Sequence, residues 1–404
     1  MRLYDTLRRA KREFLPLRGN TVRIYTCGPS VYSRSHIGNF RTYLFEDILV
    51  RYLEYRGYRV KRVMNITDVE DKAIEMARKE GKSLAGLEKD KIRSFFSDFH
   101  TLGMLKPQVV AMASDYIPWM IRLIRRICRN GYCIDRPEGV YFDTRRSEGY
   151  GSLLNMEKPA YLGTARCDDY SREGIYDFRL WKRWTRGDGA ARWKSPFGDG
   201  RPGWHIECSA ISKALLGIPF DIHCGGSDNI YPHHENEIAQ SKAADGKVPA
   251  RFWMHARHLT VGGKKMSKRT GSVFYVGELI GRGMDPRCLR FYLISERYRK
   301  PLDFTIRRFE RKVCDCHSTS GMISSLMKVR RAGDGKRGAR IAQRILEGFE
   351  GAMDDDLNTA LAFRKIFAQM GEAGRLLKQE KLTREDAVQI IRAIRKADSV
   401  LGVF

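Results

Sequence analysis

Residues 21–39 read Thr21-Val22-Arg23-Ile24-Tyr25-Thr26-Cys27-Gly28-Pro29-Ser30-Val31-Tyr32-Ser33-Arg34-Ser35-His36-Ile37-Gly38-Asn39. Thr21 to Thr26 alternates β-branched and aromatic residues and runs into Gly28-Pro29, the pattern of a strand entering a turn. His36-Ile37-Gly38-Asn39 then opens an amphipathic helix expected from about Phe40 to Tyr55, with Phe40, Leu44, Ile48 and Tyr52 at helical spacing. Arg56-Gly57 stops it, and Tyr58 to Ile66 reads as a second strand. Strand, helix, strand in that order implies a right-handed parallel unit of the nucleotide-binding α/β kind. The helix start offers an imidazole, an amide and free backbone N–H groups where anions are attracted. Cys27 is a soft ligand at the mouth of the strand.

Residues 1–20 carry one short element and a Pro16/Gly19 turn. On the other side, Asn65-Ile66-Thr67-Asp68 closes the second strand. Ligands of open parallel sheets bind beyond the carboxyl ends of strands, so Thr67 and Asp68 are site candidates. Their spacing alone favours a plainer reading, an N-cap for a helix over Val69 to Lys79. From about residue 82 to 203 the strand-helix rhythm breaks. Helices over Leu87 to Leu102 and Ser114 to Asn130 give way to a Gly-, Arg- and Trp-rich segment with Tyr141-Phe142-Asp143 and Leu180-Trp181-Lys182-Arg183-Trp184. We read it as an insertion whose tryptophans form a small core, in preference to a platform that stacks single-stranded nucleic acid.

The sheet pattern resumes at Trp204. A helix to Leu216 leads to a strand over Phe220 to His223, which runs into Cys224-Gly225-Gly226-Ser227-Asp228. His233 to Ala244 is a helix behind Pro232, and Arg251 to Ala256 a further strand. The loop Val261 to Gly271 is hinged by glycines and carries Lys264, Lys265, Lys268 and Arg269, so it seeks anions. From Ile306 only helices are expected, over Phe309 to Lys328, Ala339 to Met353, Thr359 to Leu377 and Thr383 to Leu401, with a basic linker from Arg330 to Arg340.

The 404 residues suffice for two or three domains. No apolar run approaches the ~18 residues of a membrane span, and the charged N-terminus does not read as a signal peptide, so a cytoplasmic protein without membrane contact is expected. A formal charge of +26, from 74 Lys and Arg against 48 Asp and Glu, makes nucleic acid the leading class of partner. Nine cysteines without regular spacing argue against a disulfide framework and for thiols, some of them metal-bound.

Two constellations carry chemistry. The first is Cys27, Cys208, His233, His234, Glu235 and Glu237. His233 and Glu237, four apart on one helix, can face one point. Two thiolates, one imidazole and one carboxylate suit Zn²⁺ with a position open for a substrate thiol. The same residues also read as a merely polar first turn of a helix, and spacing alone leaves the two even. The second constellation is phosphate-binding: His36 and Asn39, Gly225-Gly226 with Asp228, and Lys265 with Lys268. The two glycines would let a base and ribose approach the backbone, and Asp228 would accept from a ribose hydroxyl. The lysines would close over a triphosphate. A solvated basic turn is the commoner meaning of such a lysine run.

Taken together these residues resemble the cysteinyl-tRNA synthetases, a class I aminoacyl-tRNA synthetase family. His36-Ile37-Gly38-Asn39 and Lys265-Met266-Ser267-Lys268-Arg269 stand where the class carries its two signatures. Cys27-Gly28-Pro29, Asn65-Ile66-Thr67-Asp68, Arg201-Pro202-Gly203-Trp204-His205-Ile206-Glu207-Cys208-Ser209-Ala210 and Pro232-His233-His234-Glu235-Asn236-Glu237 match stretches specific to the cysteine enzymes. The likeness is strong over residues 1–305. It continues more weakly through Met353-Asp354-Asp355-Asp356-Leu357-Asn358-Thr359.

The resemblance implies a Rossmann-like parallel sheet catalytic domain with an inserted subdomain, followed by an all-α helical bundle. The halves of the catalytic domain fall at 1–105 and 204–258, the insert at 106–203, the signature loop and stem-contact region at 259–305, and the tRNA-contacting bundle at 306–404. It implies one Zn²⁺ held by Cys27, Cys208, His233 and Glu237, and a cysteine pocket of Cys27, Thr67, Trp204 and His223. ATP would be bound by Gly28, His36, Gly38, Asn39, Gly225, Gly226, Asp228 and Lys268, with Mg²⁺ assisting. The catalytic residues would be His36, Asn39, Lys265 and Lys268. Cysteine carboxylate would attack the α-phosphate of ATP, and a terminal ribose hydroxyl of tRNA(Cys) would then attack the adenylate. Monomer and homodimer are both compatible.

Three departures stand out. Asn39 replaces the usual second histidine and cannot become cationic. Cys224 replaces a glycine and adds a thiol expected near the metal. The chain stops at Leu401-Gly402-Val403-Phe404, about where an anticodon-binding domain would begin, so a short form is expected. That last feature raises a rival reading, the cysteine ligases of mycothiol synthesis, which join cysteine to an amino sugar. A third is a non-catalytic nucleic-acid-binding paralogue. The charge favours a polyanionic acceptor over a sugar, and retention of His36, both lysines and all four expected ligands argues against the paralogue.

Overall fold

A computed structural model describes residues 1–154, 177–266 and 273–404. The chain opens with a hairpin, β1 (Arg2–Asp5) against β2 (Ala10–Glu13), so two strands stand where one short element was expected. It then enters β3 (Thr21–Thr26), α1 (Ile37–Tyr55) and β4 (Arg59–Ile66). α2 (Asp71–Lys79) and α3 (Leu84–Thr101) lead to β5 (Val109–Met112). The insert follows as α4 (Ile117–Arg129), β6 (Cys133–Arg136), β7 (Gly139–Phe142), β8 (Phe178–Arg183) and β9 (Gly200–Pro202).

The second half of the sheet domain holds α5 (Trp204–Leu216), β10 (Phe220–Gly226), α6 (Glu235–Asp245) and β11 (Ala250–Ala256). After it come β12 (Leu259–Val261), β13 (Lys264–Lys265), α7 (Val276–Gly281), α8 (Pro286–Ile294) and β14 (Leu302–Asp303). Four helices finish the chain: α9 (Ile306–Leu326), α10 (Lys336–Asp354), α11 (Thr359–Lys378) and α12 (Arg384–Leu401).

Five strands form one parallel sheet in the order β11-β10-β3-β4-β5. The chain starts in the centre, winds outward to β5, then returns to lay down β10 and β11 on the other side. The direction of winding therefore reverses between β3 and β10. Strand alternation sends Ile24, Met64, Ile222, Cys224 and Met254 to a core shared with α1, and Tyr25, Val63 and Trp253 to a second core with α4, α5 and α6. β5 falls inside the segment 106–203, so the sheet takes its fifth strand from there. The remaining insert strands make an antiparallel sheet, β6-β7-β8-β9. Trp181 is fully buried in it, as a core reading requires, while Trp184 is half-buried under Arg192.

Cys128 and Cys133 are joined by a disulfide across the turn that follows α4. Their five-residue separation, with Gly131 at a φ of 83° in the turn, brings the end of α4 back to β6 where the spacing had pointed to free thiols. The helical bundle is tied to the sheet domain by buried Arg290 on α8. Its guanidinium donates to Asp47 Oδ2 on α1 (2.6 Å), to the Leu401 carbonyl at the end of α12 (2.7 Å) and to the Leu102 carbonyl (3.0 Å). Among the described residues no helix is long and apolar enough to cross a membrane.

Candidate active site

The carboxyl ends of β3 and β10, where the winding reverses, are the place at which an open α/β sheet offers a crevice. A cavity of about 540 Å³ opens there. Its walls come from the β3–α1 segment, the end of β4, the start of α5, the end of β10 and the turn before α6. Cys27, Gly28, His36, Asn39, Thr67, Trp204, Cys208, Gly226, Asp228 and His233 all line it. Sequence-distant halves of the chain thus meet in one space.

At its inner end the ligand atoms of Cys27, Cys208, His233 and Glu237 lie within 4.8 Å of one another. The thiol sulfurs are 4.0 Å apart, His233 Nε2 is 3.3 Å from Cys208 Sγ, and the same nitrogen is 3.3 Å from Glu237 Oε1. Tetrahedral Zn²⁺ with ordinary bond lengths would separate S and S by about 3.8 Å, S and N by about 3.6 Å, and N and O by about 3.3 Å. Glu237 Oε1 is buried and accepts no hydrogen bond, the state of a carboxylate oxygen suited to an ion. The donor set and its spacing fit zinc. Burial, with Cys208 beside it, pushes the Cys27 thiol well above its ordinary range, and burial also raises Cys208. A divalent cation reverses that preference and favours thiolates.

Cys27 and Glu237 also belong to a second set, with His223 and His234. Only the first set has three members on the cavity wall, so it alone can keep a position open to a substrate. The second set forms the layer behind it. His223, expected in the cysteine pocket, stands away from the cavity wall with Nε2 3.1 Å from Glu237 Oε2. His234 Nε2 approaches Cys27 Sγ at 3.3 Å, and its Nδ1 is 2.8 Å from His255 Nε2. His255 Nδ1 lies 2.8 Å from Thr6 Oγ1. Burial lowers the pKa of both rings, that of His255 to about 3, so this relay is neutral. His205 Nδ1 approaches His233 Nδ1 at 3.0 Å and orients that ligand. Cys224, expected to add a thiol near the metal, instead faces the opposite core: residues adjacent in a strand point to opposite faces, and His223 takes the metal side.

At the outer end His36 is the N-cap of α1. Its Nδ1 accepts from the Asn39 amide (3.3 Å), and Asn39 Oδ1 accepts from the His36 amide (3.0 Å), a reciprocal capping box. Asn39 therefore has an identifiable structural task in place of a cationic one. The Ile37 amide donates to the Phe274 carbonyl at 2.9 Å, which ties the first signature to the segment after the second. A Cβ at Gly28 would run into the Asn65 carbonyl, and one at Gly226 into Asp228 Oδ1. A Cβ at Gly225 would fall 2.8 Å from Asn229 Nδ2, so that glycine makes room for the turn and does not line the cavity. Lys265 has its backbone in β13, paired with Thr260. Lys268 lies outside the described residues.

Between the two ends are Thr67 and Trp204. Thr67 Oγ1 donates to Glu207 Oε2 (2.9 Å) and receives Asn65 Nδ2 (3.1 Å), while Asn65 Oδ1 accepts from the Gly28 amide (3.0 Å). Thr67 is thus a cavity residue and not a helix cap. α2 is capped at Glu70 without a side-chain bond, and Asp68 binds Ser114 instead. The Trp204 ring stacks on His233 with centroids 4.3 Å apart. Tyr32, Arg34 and Met266, which lie within the two stretches quoted above, and Tyr231 also line the cavity, although nothing in their spacing assigns them to it.

Residues 13–313 match the family described as tRNA synthetases class I (C) catalytic domain, and residues 348–404 match the DALR domain. The cysteine–tRNA ligase of Chlamydia muridarum is 40% identical over 416 residues, covering 100% of this chain and 87% of that protein. That of Brachyspira hyodysenteriae is 38% identical over 408 residues, covering 99% and 86%. Among solved structures, Mycobacterium tuberculosis methionyl-tRNA synthetase bound by methionyl-adenylate superposes with a TM-score of 0.70 at 14% identity, covering 95% of this chain and 92% of that one, which is a likeness of fold. By its identity to these relatives over nearly its whole length and the match to the catalytic-domain family, the chain belongs to the cysteine–tRNA ligase family of class I aminoacyl-tRNA synthetases.

Proposed function

We infer that this protein activates L-cysteine with ATP to cysteinyl-adenylate and transfers the cysteinyl group to the 3′ end of tRNA(Cys). The observation that carries the reading is the cavity itself, which holds a thiol-seeking ligand set at one end and the capped helix start with His36 at the other. Such a space fixes the distance between the thiol being recognised and the phosphate being attacked. Zinc held by Cys27, Cys208, His233 and Glu237 would take the substrate thiol as thiolate, for which a serine hydroxyl is a poor substitute.

The chain's own residues supply the rest. Trp204 and Thr67 wall the amino-acid portion, and Gly28 and Gly226 keep the floor free of side chains. Because His36 Nδ1 accepts a backbone N–H, its neutral ring carries the proton on Nε2 and donates from there. That donor, with Lys265 and Lys268, would stabilise charge on the phosphates while a cysteine carboxylate oxygen bonds to the α-phosphorus and pyrophosphate leaves. Asp228 would accept from the ribose, and Mg²⁺ would enter with the nucleotide. In the second step a terminal ribose hydroxyl attacks the acyl carbon and AMP departs. The charge of +26 suits a polyanionic acceptor. Offering tRNA(Cys) and glucosaminyl-inositol side by side tests the acceptor: cysteine on tRNA is expected, and exclusive use of the sugar refutes the reading.

A further inference from the structure

We propose that Asp285, Cys288 and His317 form a second metal site, suited to zinc, that staples α9 to α8. Asp285 is the N-cap of α8 and Cys288 stands one turn on, so both project from one face of the helix start. His317 comes from the middle of α9. The ligand atoms of the three all lie within 4.8 Å of one another. None of them lines the substrate cavity.

A thiolate, an imidazole and a carboxylate are the donors a borderline divalent ion prefers, and three of them leave one position for water at the exposed His317 edge. Asp285 Oδ1 accepts from the Arg287 amide (2.7 Å), and Oδ2 meets the Arg287 guanidinium (3.3 Å). A carboxylate offers about four acceptor positions, so it can cap the helix and bind an ion together. On binding, the Cys288 thiol releases its proton to solvent. Binding a divalent ion with loss of the thiol proton takes the site from the −1 of the Asp285 carboxylate to neutral, so the occupied site puts no net positive charge beside Arg307, Arg308, Arg311 and Lys312.

The packing of α9 gives such a staple a purpose. This 21-residue helix buries only Phe309, Thr319 and Leu326 among its described residues, so apolar contacts hold it weakly. The matched catalytic domain ends at residue 313, within α9, so a bond to α8 would set the direction in which the bundle leaves.

The test uses the full chain, stripped of metal, reloaded with zinc and passed through gel filtration before metal per chain is counted. Two equivalents are expected for the wild type. His317→Ala, at an exposed position, should keep cysteine-dependent pyrophosphate exchange and lose one equivalent. Cys208→Ala should lose the other, and its cobalt-loaded form should still show thiolate-to-cobalt absorption that disappears when Cys288→Ala is added. Equal metal content in the wild type and His317→Ala overturns the second site. So does a single wild-type equivalent that vanishes in Cys208→Ala, and that result leaves the catalytic reading intact. A single equivalent kept in Cys208→Ala and lost in His317→Ala would support the staple and overturn the catalytic zinc.

Discussion

Replacing Gly38 by alanine separates the stability of α1 from the chemistry at its tip. Gly38 has no positive φ, so alanine suits its backbone, and the helix would gain at most about 1 kcal/mol from the exchange. The new Cβ, however, would sit 2.9 Å from both Cε1 and Nδ1 of His36. An ordinary carbon contact begins near 3.5 Å, so the imidazole must swing by about 0.6 Å or more. The swing breaks the 3.3 Å bond from the Asn39 amide that holds the ring, at little cost to the fold because the ring faces the cavity. A misplacement of that order costs about tenfold to a hundredfold in rate. Cysteine-dependent exchange of pyrophosphate with ATP should therefore fall by that factor in kcat. The KM for cysteine should hold, since the thiol is recognised at the other end of the cavity, and the thermal midpoint should stay or rise. Exchange within twofold of wild type would refute a phosphate-facing role for His36.

Other expectations concern stability and charge. Arg290→Ala leaves Asp47 buried with Arg51 as its remaining cation, so unfolding in denaturant should show a loss of about 3 kcal/mol, the lower end of the range for a broken buried pair. Burial, reinforced by Asp68, raises the Glu88 carboxyl to about 8. Its folded pKa exceeds the unfolded one, so this group favours folding at acid pH and withdraws that support as pH rises from about 4.5 through 8. Glu88→Gln should then raise the thermal midpoint at pH 8.5 and leave it unchanged at pH 4. Raising salt from 50 to 200 mM should lower kcat/KM for tRNA by about tenfold or more while barely affecting pyrophosphate exchange, because only the first depends on released counterions.

The parallel unit from Thr21 to Ile66 was legible because strand alternation, the helical stripe and the Gly57 stop agree over one continuous stretch. The helices of the bundle were legible for the same reason, within a few residues at their ends. The ligand set needed more than spacing. Cys27 and Cys208 are 181 residues apart, and only the sheet order brings β3 beside β10. The Cys224 face could have been read, since a neighbour of His223 in a strand must point the other way. Thr67 was named by its place at a strand end, but spacing alone favoured a helix cap, because its partner Glu207 lies 140 residues on. The relay from Thr6 through His255 to His234 likewise joins three segments with no pattern in common. The capping role of Asn39 was also readable, since the pair three residues apart at a helix start has the form of a capping box.

The central claim is that a cysteine thiol is selected at Cys27, Cys208, His233 and Glu237 for transfer to tRNA. Charging of tRNA(Cys) with cysteine and with serine, before and after zinc removal, tests it most directly. The account predicts charging with cysteine, rejection of serine by more than about a thousandfold, and loss of cysteine charging on chelation that returns with added zinc. Charging that survives complete zinc removal with its preference for cysteine intact would contradict it.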